Sequence, residues 1–245
     1  MKPTIVLVTG NKGKLAEVEE FLSEDKVTLR AIPLDLPEYQ AKTVEEVSHL
    51  KSIEAHRQVM AKLASLSEEE KQSPLHGPLL ASLKETGKLY VLVDDTSLEF
   101  ACLNQLPGPY IKWFLDSVGP EGLVKMTEGF NENGNTPLAH NAEGFTPAPH
   151  RVANAACVLS LCVLEGESYT VRQFRGECEG VLVNTPQGGK GFGWDCIFAP
   201  KAQPVDSYPP YSRTYAELSI AEKRAVSHRG VALTKLSDAL ATLTP

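Results

Sequence analysis

No stretch of this 245-residue chain approaches the roughly 20 apolar residues that a membrane-spanning helix needs. Its first residues lead directly into a strand-like segment with nothing resembling a secretory leader, so a cytoplasmic location is expected. Cysteine is sparse and odd in number: Cys102, Cys157, Cys162, Cys178 and Cys196, with no C-x-x-C pair. Their mostly apolar surroundings read as buried free thiols in a reducing compartment, not as a disulfide framework or a metal knuckle. Positive charge is in deficit, with 24 Lys and Arg against 31 Asp and Glu and a net charge of −7. That disfavours non-specific binding to nucleic acid or to an anionic membrane, while leaving room for a local basic pocket. Neither standard phosphate-binding fingerprint occurs, G-x-x-x-x-G-K-[ST] or G-x-G-x-x-G, and there is no internal repeat. What remains is ordinary for a soluble globular protein, 42% hydrophobic and 22% charged, and long enough for a full core.

The chain opens with Thr4 to Val8, β-branched or apolar throughout, as a buried strand. Thr9-Gly10-Asn11-Lys12-Gly13-Lys14 breaks that run, and Leu15, Val18 and Leu22 resume at helical spacing. Such a strand–loop–helix turn is either a plain glycine turn or a phosphate cradle formed by the outward N–H groups of a helix start. Val27 to Ile32 predicts a second strand, and Leu34 to Tyr39 a loop, because Pro37 disfavours helix at Leu36. Thr43 with Glu46 reads as a capping box opening a long helix. Val44, Val47, Ala55 and Val59 share one face of that helix, and Lys51 falls within the stripe, either snorkelling or reaching an anion in a pocket.

Ser65 to Lys88 is polar and reads as a surface connection with a short helix near Leu79 to Lys84. Leu89 to Val93 is a further buried strand, ending in Asp94-Asp95-Thr96. Adjacent carboxylates at the exit of an apolar strand are costly unless paired or solvated, and strand alternation sends them to opposite faces. A rigid turn at Leu106 to Tyr110 precedes a helix from Ile111 to Val118, in which Trp113 and Phe114 read as core and Lys112 as either cleft or surface. Gly129 to Arg151 reads as a long loop. Val152 onward predicts a strand that turns at Glu165 to Ser168 and returns over Tyr169 to Arg175, with another short strand at Val181 to Val183. Gly188 to Asp195 is glycine-dense, with Phe192, Gly193, Trp194 and Asp195 at its end, and Lys201 to Thr214 reads as another loop. Ser227 is a candidate cap for a final helix. The layout is α/β with a mixed central sheet.

Taken together, the polar residues suggest one chemistry. Lys14, Lys51, Lys112 and Lys223 can neutralise a polyphosphate; Glu38, Asp94 and Asp95 are hard oxygen donors suited to Mg2+. Phe192 and Trp194 offer a stacking surface for a base, and His228 and Arg229 offer hydrogen-bond donors. His49, His56, His76, His140 and His150 show no ligand-like grouping.

At Thr9-Gly10-Asn11 with Lys14, LPEYQ (36–40), VDDTSL (93–98), LPGPYIKWF (106–114), FGWD (192–195) and AEKRAVSHR (221–229), the sequence resembles the inosine triphosphate pyrophosphatases, in particular their eukaryotic branch. The resemblance spans nearly the whole chain and treats it as one unit, 1–245, with additions near 65–88, 131–150 and 201–213. Asp94 stands where relatives carry Glu. The resemblance implies an elongated mixed-sheet α/β fold with two lobes and a cleft between them, a cytoplasmic homodimer, and Mg2+-dependent cleavage of ITP, dITP and XTP between the α and β phosphates, with Mn2+ as a substitute metal. It implies Glu38 and Asp95 as metal ligands, and Asp95 or Asp94 as the base that deprotonates water, a choice left open. Thr9, Gly10, Asn11, Lys12, Gly13, Lys14, Lys51, Thr96, Lys112 and Lys223 would contact the substrate, largely at its phosphates. Phe192, Gly193, Trp194, Asp195, His228 and Arg229 would surround the purine. A Maf-like nucleotide pyrophosphatase and a non-catalytic nucleotide sensor are the competing readings.

Overall fold

The protein was examined as a computed structural model that describes residues 2–22, 27–130, 148–189, 193–204 and 209–240. Strand β1 (Thr4–Val8) is buried along its whole length, as its unbroken apolar run requires. It lies between β2 (Thr28–Ile32) and β3 (Tyr90–Phe100), parallel to both. Helix α1 (Lys12–Phe21) and helix α2 (Val44–Ala64) make the crossovers, joined later by α3 (Glu68–Lys71) and α4 (Gly77–Thr86). Strand β4 (Pro107–Gly108) pairs antiparallel with β3 and leads into α5 (Ile111–Lys125). The second half is antiparallel: β5 (Val152–Glu165), β6 (Ser168–Leu182) and β7 (Phe198–Pro200), closed by α6 (Ile220–Val226) and α7 (His228–Leu240). The sheet order is β2-β1-β3-β5-β6-β7 with β4 beside β3, so parallel and antiparallel ladders meet at β3.

Strands β5 and β6 pair from Val152 opposite Val181 to Glu165 opposite Ser168, with Gly166 at φ 63° in the turn. At about 3.4 Å per residue this ribbon is some 45 Å long, and it carries apolar clusters at both ends. One end packs β1, β3 and β5 against α1 and α7; the other packs α5, β6, β7 and Tyr215 around Trp194 and Phe198. A third cluster lies beneath α2 and α4, on the opposite side of β1 and β3.

Several expectations are met residue by residue. The Thr43–Glu46 capping box is formed, and Ser227 Oγ accepts the Gly230 N–H to cap α7. Others change. Within 65–88 the helix expected near Leu79 to Lys84 is formed but longer, as α4, because Leu79, Leu80 and Leu83 pack at helical spacing and Leu79 is fully buried; α3 is an additional, unexpected exposed turn of helix. Helix α5 continues beyond Val118 across a break at Gly119 (φ 68°) and Pro120. The short strand expected at 181–183 is the end of the long β6. The 131–147 part of the expected loop lies outside the described residues.

Helix α7 crosses the β5–β6 ribbon at Gly176, where a Cβ would lie 2.1 Å from the His228 carbonyl oxygen and 2.4 Å from the Ala232 nitrogen. Both neighbours are backbone and cannot rotate away. Gly176→Ala is therefore expected to destabilise the protein by about 1–3 kcal/mol in urea denaturation. Gly129→Ala, where nothing lies within 4 Å, should stay within about 0.5 kcal/mol of the parent.

Candidate active site

The carboxyl end of β1 and the middle of β3 open into a cavity of about 630 Å3; β3 does not end before Asp94 as expected but runs on to Phe100, because Asp94 to Phe100 stay paired with β5. Ligands in open α/β sheets commonly bind at strand ends such as that of β1. Of the predicted site residues, Thr9, Gly10, Asn11, Lys14, Glu38, Lys51, Asp94, Asp95, Thr96, Lys112, Gly193 and Trp194 line it.

At the β1–α1 turn, Asn11 is the N-cap. Its side-chain oxygen accepts the N–H of Gly13 at 2.9 Å and of Lys14 at 3.1 Å, and its own N–H donates to Thr9 Oγ1. Two of the first-turn N–H groups are thus occupied by the cap, so an anion here is gripped chiefly by the Lys14 ammonium. Lys12 and Gly13 are exposed and stand outside the cavity wall.

Strand alternation separates the two carboxylates of β3, as expected. Asp94 turns to the α1 and α7 side, where its side chain is wholly buried. Lys14 Nζ lies 2.8 Å from Asp94 Oδ1, and Arg229 Nε donates to Oδ2 at 2.8 Å. Arg229 also donates through Nη1 to Glu17 at 3.0 Å. Burial would raise the Asp94 pKa, but Arg229 and Lys14 outweigh it and hold the carboxyl well below the usual range. Asp95 turns to the α2 side. Its Oδ1 accepts from Lys51 at 3.0 Å, while its Oδ2 is buried without a hydrogen-bond partner. Lys51 also meets Glu38 at 2.8 Å, and Lys112 meets Glu38 at 2.7 Å. Burial by itself lowers the Lys51 pKa, but Asp95 and Glu38 reverse that, so Lys51 stays charged. Asp95, Lys51, Glu38 and Lys112 thus form a row of alternating charge along the cavity.

Behind Gly193 (φ 59°) and Trp194 lies a second group. Asp195 accepts from Lys223 at 2.6 Å; burial raises its carboxyl despite that lysine. His228 packs between Trp194 and Tyr215, with ring centroids 5.4 and 5.9 Å away. Burial and the Arg229 charge push its imidazole far below the ordinary value, so it is neutral, and its Nδ1 has no partner. Asp195, Lys223, His228 and Arg229 are packed behind the cavity wall, not on it. Phe192 lies outside the described residues.

Sequence reading missed part of the opposite wall. Tyr39, Tyr110, Trp113 and Asp116 line the cavity. Trp113, expected in the core, is half exposed with the Lys112 ammonium 4.9 Å from its ring centroid. Ile111, Phe114 and Leu115 define the apolar stripe of α5, and Trp113 lies roughly 100° off it, the signal that periodicity contained. The five cysteines are free, and burial pushes every thiol up, so none is primed as a nucleophile.

Removing one partner of a buried pair strands the other charge. Arg229→Met should cost about 3–5 kcal/mol in urea denaturation; the double variant Asp94→Asn, Arg229→Met should recover part of that loss. The Asp94 carboxyl is depressed in the folded state relative to about 3.9 unfolded. Its stabilisation is therefore complete above about pH 4 and is lost as pH falls further toward the folded value. The stability gap between parent and Asp94→Asn should be constant from about pH 5 to 8 and shrink below about pH 4, as read by denaturation across pH.

Comparisons with known proteins agree with this architecture. The sequence matches the Ham1 family over residues 5–239. It is 46% identical over 241 residues to the inosine triphosphate pyrophosphatase of Leishmania major, covering 97% of this chain and 92% of that protein. It is 38% identical over 238 residues to the inosine triphosphate pyrophosphatase of Yarrowia lipolytica, covering 97% and 96%. The structure of a HAM1 protein from Coxiella burnetii superposes with a TM-score of 0.61 at 28% identity, covering 98% of this chain and all of that one. A nucleoside-triphosphatase, dITP/XTP pyrophosphatase, from Mycobacterium abscessus gives 0.55 at 26% identity, covering 95% and 98%. With the match running over residues 5–239, and Thr9, Gly10, Asn11, Lys14, Glu38 and Asp94 to Thr96 lining one charged cavity, this chain belongs to the Ham1 family.

Proposed function

We propose that this chain is a nucleoside triphosphate pyrophosphohydrolase that cleaves ITP, dITP and XTP between the α and β phosphates, releasing the monophosphate and pyrophosphate. The observation that carries the reading is the row Asp95–Lys51–Glu38–Lys112, set beside Lys14 on one cavity wall. Lysines on that wall can bind a polyphosphate, and carboxylates interleaved with them can bind its counter-ion. The names carried by the Leishmania, Yarrowia and Mycobacterium relatives support the same substrates.

A hard divalent cation, Mg2+ or in its place Mn2+, fits Glu38 and Asp95. The two carboxylates share the Lys51 ammonium, and Asp95 Oδ2 is a buried acceptor without a partner. Among the described residues no three His, Cys, Asp or Glu form a metal cage. Mg2+ does not require one, since it usually takes one or two carboxylates and completes its shell with water and phosphate oxygens. When bound, such an ion polarises the phosphoryl oxygens and lowers the pKa of a coordinated water.

The remaining work falls to the chain. Lys14, Lys51 and Lys112 offset the charge that builds on the leaving pyrophosphate, with Lys223 a further cation near the purine end. Thr9, Gly10, Asn11 and Thr96 shape the wall around the phosphates. Asp95 is also the candidate acceptor for the proton of the attacking water, through whichever carboxylate oxygen the ion leaves free. Asp94 is the weaker candidate for that task, because Arg229 and Lys14 hold it ionised and occupied; it anchors those two cations instead. Trp194 lines the apolar side of the base site, and the family resemblance assigns Phe192 to stack on the purine. The family resemblance also gives His228 and Arg229 the task of donating to a 6-oxo group. Both are packed behind the cavity wall, with Arg229 already paired to Asp94 and Glu17, so direct base reading requires them to reach past Trp194. A donor set that meets a 6-oxo but not a 6-amino purine can discriminate by ~10⁴. A cytoplasmic homodimer belongs to the same reading and rests on the family resemblance.

Pyrophosphate release should be far faster from ITP and XTP than from ATP when measured with Mg2+ across a nucleotide panel. Equal kcat/KM for ITP and ATP would overturn the base-reading assignment. Asp95→Asn should lower kcat by about 10²-fold or more while a non-hydrolysable ITP analogue still binds by calorimetry. A parental kcat in that variant would remove Asp95 from the mechanism.

A further inference from the structure

Residues 33–43, between β2 and α2, form neither helix nor strand, yet they carry Glu38 to the cavity. Leu34 and Leu36 hold the first part of this loop against the apolar cluster beneath α2. Beyond them the backbone is almost unsupported: among the described residues, 33–42 make no backbone–backbone hydrogen bond. Apart from the capping box at its end, three polar ties hold the loop. Two are the ion pairs of Glu38 with Lys51 at 2.8 Å and with Lys112 at 2.7 Å. The third is neutral: Tyr110 Oη donates to the Ala41 carbonyl oxygen at 3.0 Å.

These ties differ in kind. The proposed reaction draws Lys51 and Lys112 toward phosphate oxygens, which weakens their hold on Glu38. A phenol has no charge to surrender to a polyphosphate. Tyr110 is also firmly mounted. Its N–H donates to the Pro107 carbonyl at 3.1 Å, and its own carbonyl accepts from Trp113 and Phe114 in the first turn of α5. It thus stands as a fixed post on one side of the cleft, bonded to a loop of low intrinsic order on the other.

The geometry points to Tyr110 as a positioning residue for Glu38: its phenol keeps loop 33–43 across the cleft while the lysines turn to substrate. This rests on the reading of Glu38 as a metal ligand. Tyr110 itself touches no reacting atom in that scheme, so its effect should appear in loop order and metal affinity.

The test uses the full chain and Tyr110→Phe, which removes one O–H and keeps the ring. In the metal-free protein, NMR relaxation order parameters of the 34–42 amides should fall from the range of an ordered backbone toward that of a flexible segment, below about 0.6, while those of α5 stay as in the parent. With a non-hydrolysable ITP analogue present, Mn2+ affinity measured by electron paramagnetic resonance should fall about three- to tenfold, the worth of one neutral hydrogen bond, and Glu38→Gln should lose it almost entirely. Parental Mn2+ affinity in Tyr110→Phe, alongside its loss in Glu38→Gln, would overturn the proposal. So would a fall in the α5 order parameters together with those of the loop, since that marks a general structural role. If Glu38→Gln keeps parental Mn2+ affinity, the metal-ligand reading fails on its own, and the loop order parameters alone decide whether Tyr110 holds the segment.

Discussion

Two carboxylates stand side by side in the middle of the buried strand β3, and much of the site follows from accommodating them. The two-residue period of β3 forces Asp94 and Asp95 to opposite faces, so one cation cannot serve both. Removing such charges from water costs several kcal/mol each unless partners are supplied. Asp94 draws Lys14 from the first helix and Arg229 from the last. Asp95 draws Lys51 from the long helix on the other side of the sheet. The ion pairs therefore stitch helices from the beginning, middle and end of the chain to the centre of one strand.

The two arrangements differ in what they leave free. Around Asp94 the carboxylate and Arg229 are buried and Lys14 is mostly covered, while the partly exposed Glu17 takes up the remaining reach of Arg229. That group serves as framework. Around Asp95 the charges alternate toward solvent, ending at Glu38 and Lys112, whose side chains are substantially exposed. Partners there can be exchanged for a ligand at lower desolvation cost. One oxygen of Asp95 remains unpartnered, the kind of buried polar atom that calls for an explanation and that a water, metal or substrate group would satisfy.

Much of this was legible in the chain. Uninterrupted apolar runs marked β1 and β3; Thr43 with Glu46 and Ser227 marked helix starts; the Asp94-Asp95 pair and the stripe lysine Lys51 were singled out by their local cost. These signals are local, set by side-chain period and capping chemistry. The length of β6, the full extent of the helices within 65–88 and the exposure of Trp113 were read wrongly or not at all. Each depends on a surface contributed from elsewhere in the chain: the ribbon that α7 crosses, the cluster that buries Leu79, and the cavity onto which Trp113 opens.

By itself the sequence determined the element types near the amino terminus, the mixed α/β class and the family, because hydrophobic period, turn chemistry and ordered motifs are properties of short segments. It also named nearly all the charged residues of the site. Only the tertiary structure decided which charge meets which. Asp94 and Asp95 are adjacent in sequence and chemically alike, yet one is neutralised within the framework and the other faces the cavity with an oxygen to spare. The reason is physical: what a carboxylate can do is set by the dielectric and the cations around it, and those arrive from helices that lie far away along the chain.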